Sequence, residues 1–170
     1  MKSSVTLYVD ADACPVKDEV QRVALRAALR TIFVGNSRLR LPDDPLFESV
    51  VVATEPDAAD DWIAARVGLG SVVVTADIPL ADRCVKAGAR VVTPKGRVLD
   101  AGSIGAALAT RDLLDDLRSA GATTAGPAPF TPRDRQAFLQ ALDREVRRAA
   151  HDLAGTGRRP IPIRPIRPSR

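Results

Sequence analysis

The sequence predicts an α/β protein, a three-layer sandwich with a central, mainly parallel sheet and extra helices at its C-terminal end. Short continuous apolar runs, at residues 5–9 and 72–75 among others, have the length and composition of strands buried on both faces. The stretches between them carry apolar residues at helical spacing, as in Val16, Val20, Val23, Ala24 and Ala27. Regular alternation of the two patterns implies right-handed crossovers around one layered sheet.

Residues 5–9 form the first expected strand. Cys14-Pro15 opens a helix, with proline in its first turn and Asp18 and Glu19 near its positive end. Residues 31–35 are the second strand, 36–47 a loop holding Arg38, Arg40, Pro42 and Pro45, and 50–53 the third strand. A helix over 57–67 carries Ala59, Ile63 and Val67 on one stripe, and residues 71–75 are the fourth strand. Pro79 opens the next helix, Val91-Val92 form a fifth strand, and Ser103 caps a long helix with Ile104, Leu108, Leu114 and Leu117. After a linker over 121–130, Thr131-Pro132 starts a last helix. Its face of Phe138, Leu139, Leu142 and Val146 is expected to pack on the sheet or on a second subunit, and oligomeric state is left open.

With 170 residues and 45% apolar content, the chain fits one domain, expected over residues 1–152. No apolar run approaches the ~20 residues of a membrane span, and the first strand is too short for a signal-peptide core, so a cytoplasmic protein is expected. Cys14 and Cys84 have neither metal-ligand spacing nor the density of a disulfide scaffold, and both are expected to be reduced. The net charge of +4 belongs to the tail: residues 158–170 hold five arginines and no acid, while the rest carries 20 basic and 21 acidic side chains. Proline throughout that tail excludes helix and central strand, so residues 153–170 are expected to form a disordered, extended arm able to track a phosphate backbone or simply to solubilise.

The functional signal is acidic. YVDADA carries Asp10 and Asp12, DAADDW carries Asp57, Asp60 and Asp61, and VVVTAD carries Asp77. Asp10 and Asp77 follow strands, so both are expected at the carboxyl edge of the sheet, where open α/β folds bind ligands. Clustered carboxylates repel one another unless protonated or neutralised by a cation, and an all-oxygen donor set suits Mg²⁺ or Mn²⁺. Each acid also has a plain explanation: Asp57, Asp60 and Asp61 in the first turn of a helix, Asp77 as a helix cap.

A haloacid-dehalogenase-like phosphatase is one alternative, with Asp10 as nucleophile and Asp12 as acid/base. Cys14 in place of threonine, a helix that follows at once and leaves no room for a lid, and an acidic pair that precedes the VVVT strand all count against it. The chain order of strand-Asp, AADDWIA and VVVTAD resembles the PIN-like and flap-endonuclease-like nucleases over residues 5–95. YVDADACPVKDEV, AADDWIA, VVTADIPLA and GPAPFTPRDRQAFLQALD are similar to the YaiI/YqxD family, uncharacterised bacterial proteins of the PIN-like group, over residues 5–148.

The resemblance implies a PIN-like, Rossmann-like fold, and a candidate Mg²⁺- or Mn²⁺-dependent nuclease site with RNA favoured over DNA. Asp10, Asp60 and Asp77 would be the metal ligands, and Asp12 and Asp61 further catalytic carboxylates. Ala58 and Pro79 stand where the nucleases have acids; Asp57 or Asp82 could substitute, and one metal is expected rather than two. Lys17, Arg38 and Arg40 are candidate phosphate contacts. Trp62 is expected in the core rather than stacked on a base, Cys14 is a small residue at a helix start, and His151 is a bystander. A non-catalytic module that binds nucleic acid or protein through the same cleft remains the other alternative.

Overall fold

The computed structural model describes residues 4–155 apart from 125 and 127. Of the disordered arm expected over 153–170, residues 153–155 instead continue α5, since proline, which bars helix, begins only at residue 160, and the rest lies outside the described residues. The elements are β1 (Thr6–Asp10), α1 (Lys17–Ala27), β2 (Arg30–Gly35), β3 (Phe47–Val51), α2 (Ala58–Ala64), β4 (Ser71–Val74), α3 (Ile78–Lys86), β5 (Arg90–Val92), β6 (Val98–Leu99), α4 (Ile104–Ser119) and α5 (Pro132–Gly155). They build one sheet in the order β3-β2-β1-β4-β5-β6. Every pairing is parallel except that of β5 with β6.

The strands sort their side chains by alternation. Leu7, Val9, Val72 and Val74 face α1 and α5, while Val73 faces α2, α3 and α4. Both faces are covered, which is why the central strands read as unbroken apolar runs. The expected α/β sandwich is therefore the observed one.

The differences from expectation are local. α1 begins at Lys17 rather than at Pro15, because the chain first turns through Ala13, a left-handed residue with φ 56°. β3 starts three residues earlier than expected: as the sheet's outer strand it leaves Glu48 and Val51 exposed, so its pattern is weak. β6 was not expected. It returns along β5 through Thr93-Pro94-Lys95-Gly96, closed by a Thr93 N–H to Arg97 carbonyl bond of 2.8 Å. Ser103 makes no side-chain cap bond; Asp100 Oδ1 accepts the Gly102 and Ser103 N–H groups, and the Ser103 hydroxyl accepts the Asp100 N–H.

α5 opens with a reciprocal cap. Asp134 N–H donates to Thr131 Oγ1 at 3.2 Å, and Thr131 N–H donates to Asp134 Oδ2 at 2.9 Å. The helix packs on its own sheet, with Phe138, Ala141, Leu142 and Ala149 essentially inaccessible. Gly96 seats the β5–β6 turn directly against it: a Cβ there would lie 2.6 Å from the Ala137 backbone, and its φ of 85° suits glycine.

Charge fixes both ends of α5. Arg135 donates to Glu19 Oε1 and to the Pro15 carbonyl, each at 3.0 Å. At the other end Arg90 donates to fully buried Glu145 at 3.0 Å and to both oxygens of Asp152 at 2.8 and 3.1 Å. Arg148 adds a second bond to Glu145 at 2.9 Å.

Removing one partner of a buried ion pair strands the other charge, at a cost of about 3–5 kcal/mol. Arg90→Met is expected to lower stability in urea denaturation towards the low end of that range, since Arg148 still holds Glu145. The double variant Arg90→Met/Glu145→Met is expected to recover most of the loss.

Candidate functional site

Asp10 ends β1 between β2 and β4, at the carboxyl edge of the sheet. The point where strand order reverses lies between β1 and β4, because the chain runs outward through β2 and β3 before it returns. Thr75, the buried residue just after β4, donates its hydroxyl hydrogen to Asp10 Oδ2 at 2.9 Å. The Thr75 hydroxyl oxygen in turn accepts the Asp77 N–H at 3.0 Å. One hydroxyl thus fixes the relative positions of two of the acids.

Burial raises the Asp10 carboxyl above its ordinary value; the Thr75 bond opposes this, and Asp77 and Asp12 push it further up. Asp60, in the first turn of α2, is pushed up to about 6 by burial first and then by Asp77, Asp10 and Asp57, with Arg83 pulling it down. Asp77 caps α3, accepting the Leu80 N–H at 2.9 Å through Oδ1. Its capping role is real, and its charge still acts on both Asp10 and Asp60. Carboxylates from β1, α2 and the start of α3 are therefore close enough to resist joint ionisation.

Asp12 is exposed and accepts the Asn36 N–H at 3.1 and 3.4 Å. Gly35 makes room for it, since a Cβ there would lie 2.8 Å from Asp12 Oδ1. Asp57 occupies the N-cap position of α2 in a left-handed conformation, φ 67°, without a capping bond from its side chain. Asp10, Asp12, Asn36, Glu55, Asp57 and Asp60 line a cavity of about 220 Å³.

Asp61 is not brought into this cavity. It points outward and pairs with Arg83 at 2.7 Å. Asp82, considered as a substitute ligand, pairs with Lys86 at 2.7 Å on α3. Lys17 opens α1, close enough to Cys14 for its charge to act on the thiol. Arg38 and Arg40 line a separate, larger cavity of about 590 Å³ with Leu41, Asp44, Phe47 and Ser49. The converging carboxylates make the smaller cavity the chemically distinctive one.

Sequence reasoning did not single out Thr75, Asn36 or Glu55. The threonine of VVVTAD was visible as part of a motif, whereas Asn36 contributes only a backbone N–H and Glu55 only a position on the cavity wall. Trp62 packs against the sheet face covered by α2, α3 and α4, tilted 52° to Tyr8 at 6.4 Å, and the Arg66 guanidinium covers its ring at 3.9 Å. His151 is exposed near the end of α5. Cys14 and Cys84 are free and buried; burial raises the Cys14 thiol and pushes Cys84 up to about 12.

Among the described residues, no group of three or more His, Cys, Asp or Glu side chains is gathered tightly enough to hold a metal ion. No helix among them is long and apolar enough to cross a membrane.

Comparison with known proteins assigns the chain to a group. The family described as "Uncharacterized BCR, YaiI/YqxD family" matches residues 8–148. A UPF0178 protein of Azorhizobium caulinodans is 63% identical over 139 residues, covering 82% of this chain and 87% of the relative. A UPF0178 protein of Rhodopseudomonas palustris is 56% identical over 156 residues, covering 92% of each. One from Bradyrhizobium is 54% identical over 150 residues, covering 88% of this chain and 92% of the relative. No solved structure gives a significant match. The match spans the strand-end acids, the α2 acids and most of α5, and on that extent the chain belongs to the YaiI/YqxD family.

Proposed function

We propose that the acidic crevice is a divalent-metal-dependent phosphodiesterase site acting on nucleic acid, with RNA favoured over DNA. The observation that carries this reading is the mutual repulsion of Asp10, Asp60 and Asp77, supplied by three separate segments, while Arg83, which draws Asp60 down, is engaged with Asp61. A cation of charge two would relieve that repulsion, and the donors are all hard carboxylate oxygens. In donor type and charge the three residues fit Mg²⁺ or Mn²⁺.

Asp10, Asp60 and Asp77 would hold the ion, which when bound polarises a phosphodiester oxygen and activates water. Thr75 orients Asp10 through its hydroxyl and keeps Asp77 in step with it. Asp12, anchored by the Asn36 N–H, stands at the rim as a carboxylate able to accept a proton. Lys17 at the start of α1, and Arg38 and Arg40 in the separate larger cavity, would be the phosphate contacts. A non-catalytic binding module is the second reading, favoured by the cap bond of Asp77 and by the absence of a tight ligand group among the described residues.

Calorimetric titration of Mg²⁺ and Mn²⁺, run beside cleavage of labelled single-stranded RNA and flapped DNA, separates the two. Asp10→Asn and Asp60→Asn are expected to lose metal binding and cleavage together, whereas Asp61→Asn keeps most of both. Wild type that binds neither ion and cuts neither substrate would leave the binding module. Thr75→Val is expected to reduce activity about 10–100-fold, the range for groups that orient metal ligands, with Thr75→Ser restoring most of it.

Burial of Asp60, reinforced by that repulsion, predicts a pH effect on stability. Asp60 releases its proton near pH 6 in the folded chain and near its ordinary value of 3.8 when unfolded. Between those values the folded state holds the extra proton, so stability falls as pH rises through the window, and the deficit persists above it. Without metal, Asp60→Asn is therefore expected to melt higher than wild type at pH ~7.5, by of order 1 kcal/mol once solvent screening is allowed for. The difference should vanish near pH ~4. Equal melting temperatures at both pH values would refute the electrostatic account.

A further inference from the structure

A second cavity of about 220 Å³ opens beside the acidic crevice, between the start of α3, the β5–β6 turn and α4. Its floor is apolar, formed by Ile78, Ala107 and Leu114, and Arg97, Arg111 and Arg118 stand on its rim. We infer that this cavity is a phosphate-binding subsite for a single-stranded nucleic acid whose backbone continues past the acidic crevice. The inference deepens the nuclease reading but rests on cations that reading does not use.

Position is the first argument. Ile78 directly follows Asp77, so the cavity begins where the acidic site ends. Arg97 follows the turn after β5, at the same carboxyl edge as Asp10. The sheet order places Arg38 and Arg40 near β3, the acids over β1 and β4, and Arg97 by β5 and β6. A strand laid along this edge meets the acids at β1 and β4 and then the cations by β5 and β6. With neighbouring strands ~4.8 Å apart, that edge is about 20 Å long from β2 to β6, long enough for several nucleotides.

Availability is the second. Several other arginines are committed elsewhere: Arg26 to Asp143, Arg30 to Glu48, Arg83 to Asp61, Arg90 to Glu145 and Asp152, Arg135 to Glu19. The Arg97 side chain has no partner among the described residues, its backbone alone being bonded to Thr93. Arg111 and Arg118 share Asp115 at 3.4 and 3.6 Å, and Arg111 also approaches Asp112 at 3.4 Å. Arg118 Nε donates to Thr124 Oγ1 at 3.1 Å, which orients the guanidinium. These ion pairs are long and exposed, and such pairs contribute little. A phosphate offers each guanidinium a shorter, two-point contact instead.

Chemistry is the third. Three guanidiniums facing one lining carboxylate leave a net positive rim around an apolar floor. That combination suits the sugar-phosphate backbone with the apolar face of a sugar or base beneath it. It supplies no donor pattern that reads base edges, so binding should be indifferent to sequence.

The test is fluorescence anisotropy of labelled oligouridylate with the full chain in EDTA, over a series of salt concentrations. Arg97→Glu/Arg118→Glu is expected to weaken binding at low salt at least about 10-fold and to reduce the slope of log K against log[salt] by about 1.4, the value for two phosphate contacts on a single strand. Arg22→Glu/Arg147→Glu makes the same charge change on α1 and α5 and is expected to alter both quantities much less. Equal effects in the two double variants would overturn the subsite, as would wild type that fails to bind. Cleavage with Mn²⁺ separates this inference from the nuclease reading. A variant that cuts with unchanged KM sinks the subsite alone, whereas lost RNA binding in a chain whose wild type never cuts supports the subsite and removes the nuclease.

Discussion

Strands β1 and β4 lie side by side yet pass the chain to opposite faces of the sheet, α1 to one and α3 to the other. This divergence governs the rest of the molecule. Where two adjacent strands send their helices apart, the carboxyl edge between them is left uncovered and the backbone opens into a crevice. The residues at that opening, Asp10 at the end of β1 and Thr75 after β4, are joined by a hydrogen bond. Everything acidic in the site is arranged around that bond: Asp77 hangs from the same hydroxyl, and Asp60 faces it from α2.

Such an arrangement works against folding. Asp10 and Asp60 hold protons more tightly than free carboxyls do, so their ionised forms are disfavoured in the folded chain. The backbone nearby carries additional cost, because Ala13 and Asp57 adopt left-handed conformations that favour glycine. The compensation sits elsewhere. At the opposite edge of the sheet, Arg90 ties the start of β5 to Glu145 and Asp152 of α5, while the Gly96 turn, at the carboxyl edge, lies against the first half of the same helix. Stability is concentrated under α5, and unfavourable charge is concentrated at the crevice.

Much of this was legible in the sequence because burial on both sheet faces leaves an unmistakable run such as VVV at 72–74. The outer strand β3 was placed late because its residues are only partly covered, and β6 was overlooked because two residues make no pattern. The Pro94-Lys95-Gly96 turn between two valine-rich pairs was the signal that could have found it. Asp10 and Asp60 could be named from their motifs. The division of labour between Asp60 and Asp61 could not, although helix geometry accounts for it: consecutive residues differ by about 100° around the axis, so only one of the pair can face inward. The second cluster of arginines escaped for a similar reason, since Arg97, Arg111 and Arg118 belong to a hairpin and a helix that meet only after folding.

The placement of α5 also orders events during synthesis. One apolar layer joins Val5, Leu7 and Val9 to Phe138, Leu142 and Ala149, residues separated by nearly the whole described chain. As the nascent polypeptide leaves the ribosome, β1, β2 and β4 can associate early, but the face of the sheet beneath α5 has no cover until that helix emerges. Closing such a distant contact is slow, and the uncovered valines are a surface on which nascent chains can associate wrongly. The interval between the emergence of β4 and that of α5 is thus the period in which the nascent chain exposes the most unburied apolar surface.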